Sequence, residues 1–379
     1  MKIIADANIP FVKDCFSSIG EVELFPGRQI TRDTIGDAEC LLVRSVTRVD
    51  SDLLAGSKVR FVGTATIGFD HIDIEYLAKN NISFISAPGS NANSAAEYVI
   101  SGLLEIGRKY KIKLDDKSIG IVGVGNVGGN VAKKCAALGM KVLLNDPPLQ
   151  RASGDAKYLP LEKLYDCDFI TFHTPLTFEG IDKTFHLAGE ALFKSLKAGC
   201  VFFNASRGGV VDTEALKESI RSGQLETTVL DVWENEPNID TELLEMVDIG
   251  TPHIAGYSLD GKIAGMIMIY KAACEYFGFK ARFDVEDFSP RPDVPQLKIN
   301  PNSGSEQDAL RGAIEKIYKI RADDSKLRRI LDVPAGKRGK FFDDLRKNYP
   351  VRREFQNTQI IAPEKLSKKL EGIGFKVKK

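Results

Sequence analysis

Of the four histidines in the chain, His71, His173, His186 and His253, the last stands where an imidazole could do chemistry. It lies in Asp248–Tyr257 (DIGTPHIAGY), a short strand-like run broken by Thr251-Pro252. That places it on a loop beyond a strand end, where open α/β sheets hold their ligands. An imidazole titrates near neutrality, so it can accept a proton at cellular pH. Arg207, in Asn204–Asp212 (NASRGGVVD), follows an apolar strand and precedes a helix. Flanked by small residues, its guanidinium could grip a carboxylate with two parallel hydrogen bonds. Glu236 follows a third strand in Asp231–Pro237 (DVWENEP), and a carboxylate paired with the imidazole would fix its tautomer. A base, a cation and an orienting acid suit removal of a hydride from a secondary alcohol. Taken singly, each also has an ordinary structural reading: a helix cap, an ion pair, a packed core histidine.

A hydride needs an acceptor, and Ser118–Gly128 (SIGIVGVGNVG) suggests one. The glycines Gly123, Gly125 and Gly128 form G-x-G-x-x-G after an apolar strand and at the start of a helix. In a dinucleotide fold the first makes a tight turn, the second admits a pyrophosphate to the backbone, and the third lets helix and strand pack closely. The helix N-terminus would attract the phosphates. A second strand ends about 20 residues on at Asp146, where an acid can accept from ribose hydroxyls. That carboxylate would repel a 2′-phosphate, and Pro147 and Pro148 follow it rather than arginine, which favours NAD over NADP.

The elements that must carry these groups alternate along the chain. Apolar runs predict strands at Lys2–Ala5, Cys40–Arg44, Phe61–Thr64, Ser83–Ser86, Ser118–Val122, Lys141–Asn145, Phe169–Phe172, Val201–Asn204 and Thr228–Asp231. Helical spacing between them, as in Ser94–Arg108 and Val127–Leu138, predicts parallel sheets with crossover helices. Ser94 with Glu97 has the spacing of a capping box. Three prolines fall within Pro290–Pro295 and suggest a connection. Beyond it, Leu310, Ala313, Ile314, Ile317 and Ile320 keep helical spacing, Gln359–Ile361 reads as a strand, and Lys365–Leu370 reads as helical. This predicts a small third domain of α+β type.

Composition limits the function classes. Lys+Arg and Asp+Glu balance at 52 each, so no global field draws in nucleic acid or an anionic membrane. The chain starts with a strand-like run rather than a secretory signal, and no apolar window is long enough to span a bilayer. Six cysteines are scattered without a C-x-x-C pair, which predicts reduced thiols in a cytoplasmic protein, with neither disulfides nor a metal site.

Taken together and in order, the glycine motif, NASRGGVVD, DVWENEP and TPHIAGY resemble the D-isomer-specific 2-hydroxyacid dehydrogenases, over residues 1 to about 285. The resemblance implies an α/β fold of two doubly wound parallel-sheet lobes, a Rossmann-like NAD lobe (95–254) inserted in a flavodoxin-like catalytic lobe (1–94 and 255–285). The remaining 286–379 would be a dimerisation domain, making a homodimer. Arg207 would orient substrate, Glu236 would pair with the histidine, and His253 would be the acid/base. Asn126, Val127, Thr174, Ser206, Gly208, Asp231 and Gly256 would join Gly123, Gly125, Gly128 and Asp146 around NAD, with Asp231 at the nicotinamide carboxamide. Further segments, LLVRSVTRVD and FVGTATIGFDHID among them, resemble members acting on a phosphorylated 2-hydroxy acid. Ser45, Thr66 and Tyr257 would then contact substrate. Arg44 is a candidate for its phosphate, as is Arg346, reaching over from a partner subunit. Two other readings stay open: a relative acting on 3-phosphoglycerate, and an NAD-sensing binding protein.

Overall fold

The computed structural model describes residues 1–299 and 304–378. The chain divides into two compact units, one of Met1–Asn91 with Ser258–Arg291 and one of Ala92–Tyr257 with Pro292–Lys379.

The first unit is built on a parallel sheet of β1 (Lys2–Asp6), β2 (Glu21–Phe25), β3 (Cys40–Val43), β4 (Phe61–Thr64) and β5 (Ser83–Ile85), in the order β2-β1-β3-β4-β5. Every residue of β3 and β4 is buried, which is why both read as continuous runs rather than alternating ones. The edge strand β2 was not expected. Its sequence, EVELF, carries two charges and only one buried residue, as befits a strand with one free edge. The long helix Leu259–Phe277 buries Ile263, Met266, Ile269 and Tyr270 in a core with Ile3, Phe16 and Phe61.

In the second unit, β6 (Ser118–Val122), β7 (Lys141–Asn145), β8 (Phe169–Phe172), β9 (Cys200–Asn204), β10 (Leu225–Leu230) and β11 (Ile249–Gly250) form a parallel sheet ordered β11-β10-β9-β8-β6-β7. The chain runs outward from β6 to β7 and then returns to β8 on the other side. The crevice beyond the carboxyl ends of β6 and β8 is therefore the topological switch point. β11 has only two residues, too few for a periodicity to reveal.

The tail adds a parallel sheet of β12 (Gln296–Lys298), β13 (Gln359–Ile361) and β14 (Lys376–Lys378), ordered β12-β13-β14. The helical spacing read through Ile320 belongs to two helices, Glu306–Glu315 and Ile320–Arg328. Their apolar faces do not close on themselves. Leu310, Ile314, Phe355, Leu370 and Ile373 share one core with Tyr98, Leu103, Val131 and Cys135 of the central lobe. Leu327, Ile330 and Phe342 join a second core around Trp233 and Leu244.

The helix expected from Ser94 starts earlier, at Ala92. Ser94 is fully buried inside its first turn, and Glu97 accepts instead from Asn93 Nδ2 at 3.0 Å and from the backbone N–H of Phe355 at 2.9 Å. The capping box is thus replaced by a contact to the tail. Among the described residues, no helix is long and apolar enough to cross a membrane. No group of three or more His, Cys, Asp or Glu among them could hold a metal ion.

Candidate active site

The glycine loop follows β6 as its sequence requires. Gly123 has φ of +84°, and a Cβ there would lie 2.8 Å from the carbonyl carbon of His173. A Cβ on Gly128 would come within 2.0 Å of the Gly123 carbonyl oxygen, whereas one on Gly125 would meet nothing within 4 Å. Two glycines are thus demanded by packing, and the middle one faces open space beside the exposed start of helix Asn126–Ala137. Asp146 clasps the loop: Oδ2 accepts from the backbone N–H of Val124 at 2.7 Å, and Oδ1 caps the next helix at Leu149 N, 2.9 Å away. Behind the loop, Thr174 has a buried hydroxyl without a hydrogen-bond partner in the protein. Burial pushes the neighbouring His173 imidazole down to about 3, so it stays neutral. An open glycine, a free helix N-terminus, a carboxylate at the second strand and a hydroxyl awaiting a partner fit a dinucleotide.

The loops after β9, β10 and β11 bring the other candidates together. Asn204 anchors the first of them, its Oδ1 accepting from Ser206 N at 3.0 Å and Ser206 Oγ at 2.7 Å, while its Nδ2 donates to the Arg207 carbonyl at 3.0 Å. Arg207 Nη1 donates to the Ser206 carbonyl at 2.8 Å. Gly208 then lies against the neighbouring loop so closely that a Cβ would sit 1.9 Å from the Trp233 carbonyl oxygen.

In the β10 loop, Glu236 divides its oxygens. Oε1 accepts from the Trp233 backbone N–H at 2.9 Å, and Oε2 lies 2.7 Å from His253 Nδ1. Burial opposes ionisation of Glu236, but the charge and hydrogen bond of His253, the Trp233 N–H and the charge of Arg346 outweigh it and hold the group below its ordinary value. An ionised carboxylate can only accept, so Nδ1 faces it with a proton, and in the neutral imidazole the lone pair lies on Nε2.

His253 has a left-handed backbone, φ +57°, a conformation that surrounding contacts must impose. Asp231 imposes it. The Asp231 carbonyl accepts from His253 N at 2.7 Å, and its fully enclosed carboxylate accepts from Ile254 N at 2.8 Å, Ala255 N at 2.8 Å and Thr251 Oγ1 at 2.6 Å. Thr251 in turn meets Tyr98 Oη at 2.8 Å, and its carbonyl accepts from Trp233 Nε1 at 2.9 Å. Asp231, expected at the nicotinamide, therefore also frames the histidine loop. Neither Trp233 nor Thr251 was singled out from sequence. The one tryptophan of the chain, set between Asp231 and Glu236, was the available signal.

Gly256 and Tyr257 close this loop. Arg346 lies in the second unit with its guanidinium 5.8 Å from the centre of the Tyr257 ring. In the first unit, Arg44 and Ser45 follow β3, and Thr66 follows β4, with Thr66 Oγ1 2.7 Å from Thr64 Oγ1 and donating to the Gly68 carbonyl at 2.9 Å.

Residues 89–255 match the family model "D-isomer specific 2-hydroxyacid dehydrogenase, NAD binding domain", and 288–374 match a domain of unknown function. The chain is 42% identical over 377 residues to erythronate-4-phosphate dehydrogenase of Proteus mirabilis, covering 99% of each. It is likewise 42% identical to the Escherichia coli enzyme of that name, covering 96% of this chain and 95% of the other. Among solved structures, NAD+-bound 3-phosphoglycerate dehydrogenase of Entamoeba histolytica aligns with a TM-score of 0.62 at 26% identity, over 75% of this chain and 98% of that one. D-lactate dehydrogenase of Aquifex aeolicus, complexed with NAD and lactic acid, aligns with a TM-score of 0.60 at 25% identity, over 73% and 96%. The chain belongs to the erythronate-4-phosphate dehydrogenases, NAD-dependent oxidoreductases of the D-isomer specific 2-hydroxyacid dehydrogenase family.

Proposed function

We propose that the protein oxidises 4-phospho-D-erythronate at C2 to (R)-3-hydroxy-2-oxo-4-phosphobutanoate, a step of pyridoxine 5′-phosphate (vitamin B6) biosynthesis. The observation that carries this reading is the 2.7 Å pair of His253 Nδ1 and Glu236 Oε2, in the unit that also holds the glycine loop and Arg207. The likeness to enzymes of that name supplies the substrate. NAD, when bound, supplies the acceptor for the hydride that leaves C2. His253 Nε2 takes the proton of the 2-hydroxyl, and Glu236 stabilises the imidazolium that results. Arg207 holds the substrate carboxylate and draws charge onto the forming carbonyl oxygen. In this reading Ser45, Thr66 and Tyr257 contact substrate, and Arg44 and Arg346 are its candidate phosphate ligands. Gly123, Gly125, Asn126, Val127, Gly128, Asp146, Thr174, Ser206, Gly208, Asp231 and Gly256 serve NAD.

The same reading makes the protein a cytoplasmic homodimer joined through its tail. Six free, buried cysteines suit a reducing compartment, and light scattering on the purified chain tests the dimer. The function itself is tested by following NADH formation by absorbance, with 4-phosphoerythronate and 3-phosphoglycerate offered in parallel and a trap for the oxo acid. Turnover with the first alone is expected. Turnover with the second alone would overturn the substrate, and NAD binding without turnover on either would favour the binding-protein reading.

A further inference from the structure

The histidine loop is gripped from two directions, and one grip comes from the tail. Arg352 lies in the stretch between helix Ala335–Lys347 and the short turn Phe355–Asn357, and it is only 4% exposed. Its Nη1 donates to the carbonyl of Ala255 at 3.1 Å, and its Nη2 donates to the carbonyl of Ser94 at 2.7 Å. The guanidinium stacks 3.9 Å from the centre of the Tyr318 ring. Ala255 is thus held at both ends: its N–H by the carboxylate of Asp231, its carbonyl by Arg352. Two residues upstream is His253, in its left-handed conformation. Tyr349, also from the tail, meets Tyr257 edge-on with ring centres 5.8 Å apart.

We propose that Arg352 is a positioning residue for the acid/base histidine, so that the tail, besides any role in assembly, sets the geometry of the proton acceptor. This rests on the reading of His253 as the base. A two-pronged guanidinium suits the task, because its planar fork fixes the carbonyls of Ala255 and Ser94 relative to one another. A lysine in its place has a single ammonium with no such fork. A loop free to shift by about 1 Å would move Nε2 away from the 2-hydroxyl, and misplacement on that scale can lower turnover by about 100-fold without weakening ground-state binding.

The test compares Arg352→Ala, Arg352→Lys and His253→Ala as full-length protein, with NAD affinity measured alongside kcat and KM for 4-phosphoerythronate. For Arg352→Ala, kcat should fall by at least about tenfold with both KM values nearly unchanged, and added guanidinium should restore part of it. Arg352→Lys should bind NAD normally and still turn over slowly. Parental kcat in either variant would overturn the proposal. So would KM and kcat drifting together without guanidinium rescue, or loss of NAD binding in Arg352→Lys, since the arginine would then only be holding the fold. Turnover retained by His253→Ala would instead overturn the reading of the base, and positioning with it. Turnover lost there but parental in the Arg352 variants would overturn positioning alone.

Discussion

Glu236 faces His253 across 2.7 Å while its second oxygen is tied to the backbone N–H of Trp233, so the acid cannot rotate away from the imidazole without breaking a buried hydrogen bond. The pair has a defined polarity: Nδ1 presents its proton to the acid, so in the neutral imidazole the lone pair lies on Nε2.

That polarity makes Glu236→Gln an informative change. Glutamine turned to offer its amide N–H to His253 would favour the tautomer protonated on Nε2, which cannot take the hydroxyl proton. Turnover should fall by about 100-fold or more, and His253→Ala should lose at least as much. Steady-state kinetics, with NAD binding measured separately to establish that the variants are folded, checks both.

Gly208→Ala should be damaging, although alanine adds only a methyl. The new Cβ would fall 1.9 Å from the Trp233 carbonyl oxygen and 2.5 Å from Glu234 N, and both are backbone atoms. The Arg207 and Glu236 loops must then part. The expected outcome is a loss of kcat of about 10- to 100-fold, from displacement of groups the substitution does not touch.

For Asp146→Ala, the effect should fall on the cofactor. The substitution removes the acceptor for Val124 N and the cap for Leu149 N, costing about 1–3 kcal/mol in stability. KM for NAD should rise by about tenfold or more, with KM for the hydroxy acid nearly unchanged. A KM for NAD equal to the parent's would show that the carboxylate serves only the loop.

A pH-dependent prediction comes from Glu97. Burial, reinforced by the nearby charge of Glu354, pushes its carboxyl from an ordinary 4.5 up to about 8. Between those values the folded protein keeps a proton that the unfolded chain has released, so this group's contribution to stability falls as pH rises through the window and levels off above it. Glu97→Gln removes that slope and can still accept from Phe355 N. The difference in Tm, variant minus parent, should therefore grow from about pH 5 to about pH 8. A constant difference across that range would show that Glu97 does not titrate there.

Much of this was legible in the sequence because the elements are locally determined. Buried parallel strands such as Phe61–Thr64 and Ser118–Val122 announce themselves as mostly apolar runs without alternation, and the glycine loop has a chemistry few other residues permit. The expected residues Arg207, Glu236 and His253 each sit on the loop after a strand of one sheet. What stayed hidden is non-local. Asp231 frames the histidine loop through backbone N–H groups, which have no residue-type signature. The contacts of Glu97 with Phe355 and of Arg352 with Ala255 join positions some 100 to 260 residues apart. The helix start at Ala92 was misread because Ser94 and Glu97 mimic a local cap, while their actual partners lie in the tail.

The shared core of the second unit bears on how the chain is made. Phe375 and Ile373 pack with Val131 and Cys135, and β13 pairs with both β12 and β14. During synthesis the central lobe therefore keeps an unfinished apolar face until the tail residues around Phe375 have emerged. Translation stopped short within the tail should leave not a smaller dehydrogenase but an aggregation-prone intermediate for chaperones and proteases to handle.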